Sequence, residues 1–297
     1  MHKYLRSIGF SEYKTEQTVR SLLDSFEERY FDFARRYVDP STGEMWLELR
    51  AQIAATMGVC IMGVLDSEGR FHRTAYYPYI WSDDVSSSAQ VMVTRKLDGS
   101  SLSVSCDDTR VGVTLIFQLD NPFDFLQKSG SFEPMPVRAI KLAGFSTNGK
   151  ILLGNSLAEK KNPKNTSVQD PTSAQGDFNL FEAAKKGQTE AIEQLAFEEM
   201  SNIAALGKRL ENEDIYSIIS SVFMPQGVEC DLYSVVGDIV DMAHTTNLLT
   251  GEGIYDLTLN VNDMIIHIAT HEADLEGEPA IGRRFKGQIW LMGRVEI

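Results

Sequence analysis

The chain has 297 residues, of which 43% are hydrophobic, and a formal net charge of −14 from 28 basic and 42 acidic residues. This composition provides for folded cores and excludes a disordered chain, and the length is typical of about two domains. An acidic surface repels phosphate backbones and anionic lipid. We therefore expect neither nucleic acid nor a membrane as a general partner.

Two further features bound the class of protein. The cysteines Cys60, Cys106 and Cys230 are odd in number and widely spaced, which argues against a disulfide framework and against a zinc ribbon. The N-terminus carries no long apolar run, and the most apolar stretch, from Met57 to Leu65, is about half as long as a membrane-spanning helix. These features predict a cytoplasmic protein.

The first predicted element is an amphipathic helix from Glu16 to Val38. Its apolar residues recur in steps of three and four, which places them on one face. Asp39-Pro40 ends the helix, because the residue before a proline avoids the helical region. The face is rich in aromatic rings, so we expect it to pack on a sheet.

Strands and tight turns follow between Met45 and Asn155. Hairpins are expected at residues 66–69, at Asp98-Gly99 and at Asn148-Gly149, and a short helix at residues 122–128. Successive hairpins indicate a largely antiparallel sheet. The fold class predicted for the first half is therefore α+β, an N-terminal antiparallel sheet with a long amphipathic helix.

The second half of the sequence has three parts that differ in composition. Residues 159–176 are polar and contain two prolines, as is typical of a linker. A helical segment is predicted for residues 177–223, followed by glycine-punctuated strands in residues 224–297. We expect these strands to form a small β-barrel-like domain, for which an OB-fold is one candidate. The predicted domains are thus 1–158 and 224–297, joined by the linker and the helical segment.

Two motif matches have simpler explanations. Residues 144–150 fit the phosphate-binding pattern GxxxxGK, but Ile151 supplies no hydroxyl for magnesium and a strand-like run follows. His267 and His271 would share a helix face, but their apolar neighbours indicate a strand, where four residues span about 13 Å, too far for one metal ion. We expect no metal and no cofactor.

Three clusters are candidates for function. Tyr77, Tyr79 and Trp81 lie in a dense aromatic run, and such rings are favoured anchors of binding surfaces. Arg283, Arg284 and Lys286 form the dense basic cluster of the C-terminal stretch. They would either neutralise local acids or hold an anion. With Phe285 turned inward, we expect Arg284 and Lys286 to be exposed and Arg283 to meet buried acids.

The third cluster is acidic. Asp83-Asp84 and Asp107-Asp108 are adjacent pairs, and adjacent residues on a strand point to opposite faces. Each pair alone is therefore poor acid–base machinery, although the two pairs together would supply carboxylates for a catalytic site.

Several segments resemble one known family. They are residues 2–10, 107–113, 224–231 and 277–291, including the run Gly282-Arg283-Arg284-Phe285-Lys286-Gly287. These segments are similar to those of an uncharacterised clostridial family known only as a domain of unknown function. The resemblance implies a bacterial intracellular protein, and it carries no activity or catalytic residue.

Three functions follow from these observations as hypotheses. The first is a non-catalytic binding or scaffold protein for a protein or small-ligand partner. The second is an enzyme with an acidic site near Asp83/Asp84 and Asp107/Asp108. The third is oligonucleotide binding by the C-terminal stretch, which would have to overcome a local excess of acidic residues.

Overall fold

The structure is a computed structural model that describes residues 3–95, 101–128, 133–153, 221–226 and 231–297. Helix α1 (Glu16–Tyr30) is the expected amphipathic helix, and its buried residues are Val19, Leu22, Leu23 and Phe26. Thr15 caps the helix, because its hydroxyl accepts a hydrogen bond from the backbone N–H of Thr18. Among the described residues, no helix is long and apolar enough to cross a membrane.

The end of α1 differs from the prediction. The chain leaves the helix at a short 3₁₀ turn, Phe31–Phe33, and continues as strand β1 (Arg35–Val38). Phe33, assigned from its spacing to the apolar face, is 82% exposed. The three- and four-residue spacing of Phe33 and Tyr37 was therefore fortuitous, since pairing with a neighbouring strand outweighs local helical preference here.

The first sheet has four antiparallel strands in chain order, β1, β2 (Met45–Gln52), β3 (Met57–Leu65) and β4 (Phe71–Ile80). Alternate side chains of a strand point to opposite faces. In β2, Leu47, Leu49 and Ala51 are buried in the core that α1 also joins. The opposite face carries Trp46, Glu48 and Arg50 of the same strand. We call it the inner face, because its contacts reach the second sheet.

The second sheet is larger and mixed. It is built from strands of both halves of the chain: β5 (Val91–Arg95), β6 (Leu102–Asp107), β7 (Thr114–Leu119), β8 (Ala139–Ser146), β9 (Gly149–Leu152), β10 (Val222–Pro225), β11 (Leu232–Thr246), β12 (Gly253–Val261), β13 (Met264–His271), β14 (Leu275–Glu276) and β15 (Arg284–Glu296). Helix α2 (Pro122–Lys128) lies where predicted. The predicted α+β class is confirmed.

Five of these strands close into a ring in the order β11, β12, β13, β8, β15 and back to β11. Strand β11 closes it, since residues 232–238 pair with β15 and residues 238–246 pair with β12. A register shift between Ile239 and Asp241 marks the change of partner. The ring has the strand number of an OB-fold barrel.

The C-terminal strands do not make this ring by themselves, because β8 of the N-terminal half stands between β13 and β15. A parallel neighbour distant in sequence leaves no local signal, so sequence patterns did not indicate this pairing. The boundaries proposed at residues 158/159 and 176/177, with the linker and the helical segment, lie outside the described residues.

The hairpin predicted at Asn148-Gly149 is wrong. Strands β8 and β9 do not pair with each other; both pair with β15, β9 with residues 284–287 and β8 with residues 291–296. Asn148 and Gly149 thus lie where the chain passes from β8 to β9 along the same side of β15. There Ser146 Oγ donates to the Asn148 carbonyl at 2.7 Å. Gly149 is needed there because a Cβ would stand 2.5 Å from the ring of Phe285.

Candidate functional site

A surface cleft lies where the inner face of the four-stranded sheet meets β5, β6 and α2. It encloses about 390 Å³ of atom-free space, measured out to its open mouth. We call it the aromatic cleft; its lining residues are Tyr37, Asp39, Trp46, Met62, Arg95, Ser101, Leu102, Pro122, Phe123 and Leu126. Most of these side chains are apolar, so the polar groups of the lining are few.

Three rings form the wall of the aromatic cleft. Tyr37 of β1 and Trp46 of β2 are direct partners across an antiparallel pair, which places both rings on the inner face. Phe123 of α2 is buried against Tyr37, and the centroids of these two rings are 5.6 Å apart. Tyr37 and Trp46 are only half-buried, so their rings remain accessible from the mouth.

One charged pair accompanies the rings. Ser41 fixes the Asp39 carboxylate, since its backbone N–H and its hydroxyl donate to Oδ1 at 2.8 Å and 2.6 Å. These bonds lower the pKa of Asp39. The remaining oxygen, Oδ2, lies 3.6 Å from Nη1 of Arg95, which is longer than a hydrogen bond. Burial, followed by the Asp39 charge, raises the pKa of Tyr37.

A chain of alternating charges begins beside the cleft on the inner face. The fully buried Glu48 accepts a hydrogen bond from Nη2 of Arg50 at 2.8 Å. Arg50 Nη1 lies 3.2 Å from Oδ1 of Asp120, at the end of β7. Burial disfavours the charge on Arg50, but Asp120 and Glu48 outweigh burial and raise its pKa well above the ordinary value. Arg50 therefore keeps its charge between the sheets.

The charge chain continues to the second sheet. Arg35 Nη1 lies 3.1 Å from Glu48, and its other terminal nitrogen contacts Asp124 of α2. Asp124 also pairs with Arg294 of β15 at 3.2 Å. Burial disfavours the Asp124 carboxylate, but Arg35 and Arg294 outweigh it and lower its pKa. The guanidinium of Arg294 ends the chain 4.1 Å above the ring of Trp81.

The aromatic residues singled out from the sequence occupy the other end of the inner face. Tyr77 is buried, and its hydroxyl contacts the sulfur of Met62 at 3.5 Å. Tyr79 is also buried, and its ring receives the guanidinium of Arg50 at 4.8 Å. Trp81 is 48% exposed, so it is the member of the trio that a ligand would reach.

Trp81 lines a second cleft of about 360 Å³, which we call the Trp81 cleft. Its residues are Tyr79, Ile80, Trp81, Ser82, Asp120, Lys141, Leu142, Ala143, Met292, Gly293 and Arg294. Its cations are already engaged. Lys141 Nζ lies 2.8 Å from Glu296 and 3.5 Å from Asp83, and Arg294 is held as described above.

The basic cluster is arranged differently from the prediction. Arg284, expected on the surface, is 1% exposed, and its Nε donates to the Leu153 carbonyl at 3.1 Å. Burial lowers its pKa, and the nearby Asp238 opposes that change. Arg283 is half-buried and donates to the Glu278 carbonyl at 2.6 Å.

The reason for this difference lies in the position of β15. Its first residues pair with β9 on one side and with β11 on the other, and Phe285 is fully buried on the opposite face from Arg284. Both faces are therefore covered, which an alternating inside–outside pattern does not anticipate. Lys286 is half-buried. The three side chains do not form one exposed basic surface.

The four aspartates of the acidic pairs contact separate partners. Asp83 lies near Lys141 and Asp84 near His267, while Asp107 accepts from the Thr114 hydroxyl. Asp108 is buried and accepts from Ser87 Oγ at 2.6 Å and from Arg110 Nε at 2.9 Å. These hydrogen bonds, that of Arg110 foremost, lower the pKa of Asp108, which suits a structural anion better than a proton donor.

The histidines lie on strand β13, as predicted, and contact different carboxylates. His267 Nε2 lies 2.8 Å from Asp84, and Nδ1 lies 3.2 Å from Asp256. His271 Nε2 lies 3.0 Å from Glu252. Within the part of the chain that the structure describes, no group of three or more His, Cys, Asp or Glu side chains is arranged to hold a metal ion.

The other residues singled out from the sequence either pair with a neighbouring charge or are buried. Lys150 of the GxxxxGK match lies in strand β9, and its Nζ is 3.0 Å from Glu276. Cys60 and Cys106 are buried. Burial raises the pKa of both thiols, that of Cys106 to about 12, which disfavours the reactive thiolate. Cys230 lies outside the described residues.

Sequence reasoning missed Tyr37, Trp46 and Phe123 as a group. Tyr37 was assigned to the long helix, and Trp46 and Phe123 lay in a predicted strand and a predicted helix without a pattern that linked them. Part of this group could have been found. If residues 35–38 had been assigned to a strand, Tyr37 would have been a possible cross-strand partner of Trp46. The contact with Phe123 depends on the packing of the two sheets and has no local pattern.

The geometry defines an α+β protein with two sheets and an aromatic surface cleft. The sequence model of one family, described as a domain of unknown function from an E. rectale gene (DUF3881), matches residues 5–293. The chain belongs to this family, and the resemblance inferred from its motifs is confirmed. No curated protein and no solved structure is significantly similar to the chain.

Proposed function

We propose that this is a non-catalytic binding protein and that the aromatic cleft holds its ligand. The observation that carries the proposal is the meeting of Tyr37, Trp46 and Phe123 at one open cleft beside the Asp39–Arg95 pair. Ligand sites are commonly concave, mostly apolar and equipped with a few polar groups that fix orientation. Aromatic side chains supply much of the binding energy at such sites.

The protonation states of the cleft support recognition over catalysis. The lowered pKa of Asp39 keeps its carboxylate ionised near neutral pH, and the raised pKa of Tyr37 keeps its phenol protonated. A general acid or base works best when its pKa lies near the working pH. These two groups are displaced from that range in opposite directions, so they favour binding through charge and hydrogen bonds.

The rival hypotheses have weaker support. An enzyme centred on the acidic pairs requires carboxylates that share a substrate, whereas these carboxylates contact separate partners. Oligonucleotide binding requires an exposed basic surface, whereas Arg284 is buried. A binding protein for a small ligand is therefore the function that this geometry favours.

The proposal is tested by ligand-observed NMR with a library of small apolar and aromatic compounds against the full chain. We expect binders whose signals are lost with Tyr37→Ala and retained with Trp81→Ala. The control is matched, because Trp81 is an accessible ring on the same inner face but in the other cleft. Loss with Trp81→Ala alone would move the site to the Trp81 cleft, and a library without any binder would contradict the proposal.

A further inference from the structure

We propose that the ligand of the aromatic cleft is a small zwitterion with an apolar side chain, of the class of free α-amino acids. The inference rests on the proposed function, because it names the ligand of that same cleft. It is carried by the position of two opposite charges at the edge of an apolar wall, with a separation that leaves both charges incompletely satisfied.

The negative charge is directed toward the cleft. Ser41 holds Asp39 Oδ1 with two hydrogen bonds, which fixes the carboxylate plane with Oδ2 on the side of Arg95. The Asp39 side chain is only 7% exposed, so a donor reaches Oδ2 through the cleft. An ammonium group is the donor that best matches an ionised and partly desolvated carboxylate.

The positive charge is available for the same reason. The Arg95 side chain is 43% exposed, and its nearest contact with Asp39 is 3.6 Å, beyond hydrogen-bond distance. A guanidinium binds a carboxylate in a bidentate, planar manner. The α-carboxylate of an amino acid would therefore take Arg95 while the α-ammonium group takes Asp39, and the two protein charges would move apart by a small rotation of the long Arg95 side chain.

The apolar wall accounts for the rest of the ligand. Tyr37 and Trp46 offer ring faces and edges, and Phe123, Leu102 and Met62 are buried behind them. An apolar side chain gains from this surface in proportion to its buried area. The atom-free space of about 390 Å³ reaches out to the open mouth, so the enclosed part of the cleft is smaller than this volume. A compact ligand such as one amino acid therefore fits the cleft better than a nucleotide or a peptide.

The test is isothermal titration of the full chain with four probes: L-phenylalanine, L-leucine, phenethylamine and 3-phenylpropanoate. Phenethylamine lacks the carboxylate of phenylalanine, and 3-phenylpropanoate lacks its ammonium group. We expect an amino acid to bind at least about tenfold more tightly than either singly charged analogue, because each charge-assisted contact is worth about that factor.

Two variants test which charge of the ligand each protein side chain binds. Asp39→Asn keeps an acceptor for Ser41, so we expect it to weaken phenylalanine and phenethylamine while leaving 3-phenylpropanoate unchanged. Arg95→Gln should weaken phenylalanine and 3-phenylpropanoate and leave phenethylamine unchanged. Circular dichroism of each variant checks that the fold is intact.

The failures are distinguishable. If a singly charged analogue binds as tightly as phenylalanine, or if none of the four probes binds, the zwitterion proposal is overturned. A library compound that still loses its binding with Tyr37→Ala would then leave the proposed function standing. If Tyr37→Ala changes the binding of no compound, both proposals are overturned.

Discussion

Two clefts lie along the same inner face of the four-stranded sheet, and they differ in how their charges are paired. At the Trp81 cleft, Lys141 is 2.8 Å from Glu296, and Arg294 joins Asp124 and the ring of Trp81. At the aromatic cleft, Asp39 and Arg95 approach only to 3.6 Å. The tightly paired charges satisfy one another, whereas the loosely paired charges retain capacity for a ligand.

The comparison shows why aromatic density in the sequence is a poor guide to a site. In the dense run that contains Tyr77, Tyr79 and Trp81, both tyrosines are buried, and the ring of Tyr79 packs against the guanidinium of Arg50. The sparser rings Tyr37 and Trp46 remained half-buried at the open end. Accessibility, which only the tertiary structure sets, distinguishes the two groups.

The largest effect is expected from Arg50→Met, which removes the cation shared by Glu48 and Asp120. Asp120 would lose its partner cation, whereas Glu48 would still pair with Arg35. Breaking such a buried pair costs about 3–5 kcal/mol in the free energy of unfolding. Urea unfolding measures the loss. Adding Asp120→Asn should recover part of it, because the carboxylate that lost its cation is then neutral.

Arg20→Met is the matched control for Arg50→Met. Arg20 pairs with Glu16 at 3.1 Å, but the two side chains are 65% and 85% exposed. An ion pair of this kind contributes little, so the midpoint should not move measurably. A loss for Arg50→Met as small as that for Arg20→Met would show that the charge chain does not hold the sheets together.

A smaller effect is expected from exchanging one cation in each cleft. Arg294→Gln removes the contact with Asp124 and the stacking over Trp81, which together are worth about 1–2 kcal/mol in unfolding free energy. Arg95→Gln should change stability by less than about 0.5 kcal/mol, since its side chain is exposed and its contact with Asp39 is long. Equal losses in the two variants would remove the distinction between the clefts.

Much of the fold was predictable because the signals were local. The strands of residues 57–65 and 71–80 follow from apolar runs and a turn, and α2 was placed to the residue. Contacts between distant segments were not predictable. The insertion of β8 between β13 and β15, and the absence of a hairpin at Asn148-Gly149, depend on pairings separated by more than a hundred residues.

The candidate site was less predictable than the fold. Trp81 was identified from the sequence and is accessible, but Arg284 was assigned to the surface and is buried. Tyr37, Trp46 and Phe123 come together only when β1 pairs with β2 and the second sheet packs on the inner face. Residue type indicated which side chains were able to bind, but not which of them the packing leaves open.

The smallest effect concerns the pH dependence near the Trp81 cleft, where His267 bridges Asp84 and Asp256. Burial disfavours the imidazolium, but the two carboxylates outweigh burial and raise the pKa of His267. Its contribution to stability is therefore complete below the unfolded-state pKa of about 6.5 and is lost as the pH rises through the folded-state pKa.

The pH prediction is measured as the difference in unfolding free energy between the wild type and His267→Gln. We expect the difference to be larger at pH 6 than at pH 8. Because acid titration of other carboxylates affects both proteins equally, it cancels in the comparison. His244→Gln is the control, since that side chain contacts Glu272 at 3.1 Å and is 49% exposed. A difference that grows toward pH 8 would contradict the bridged arrangement.

The central claim, that the aromatic cleft is the ligand site, is tested most directly by ¹⁹F NMR of protein labelled with 5-fluorotryptophan. The chain has three tryptophans: Trp46 lines the aromatic cleft, Trp81 lines the other cleft, and Trp290 is buried against Tyr4. Trp46→Phe and Trp81→Phe assign the signals. On addition of L-phenylalanine we expect the Trp46 resonance to shift while those of Trp81 and Trp290 stay in place. A shift of Trp81 with Trp46 unmoved would contradict the account.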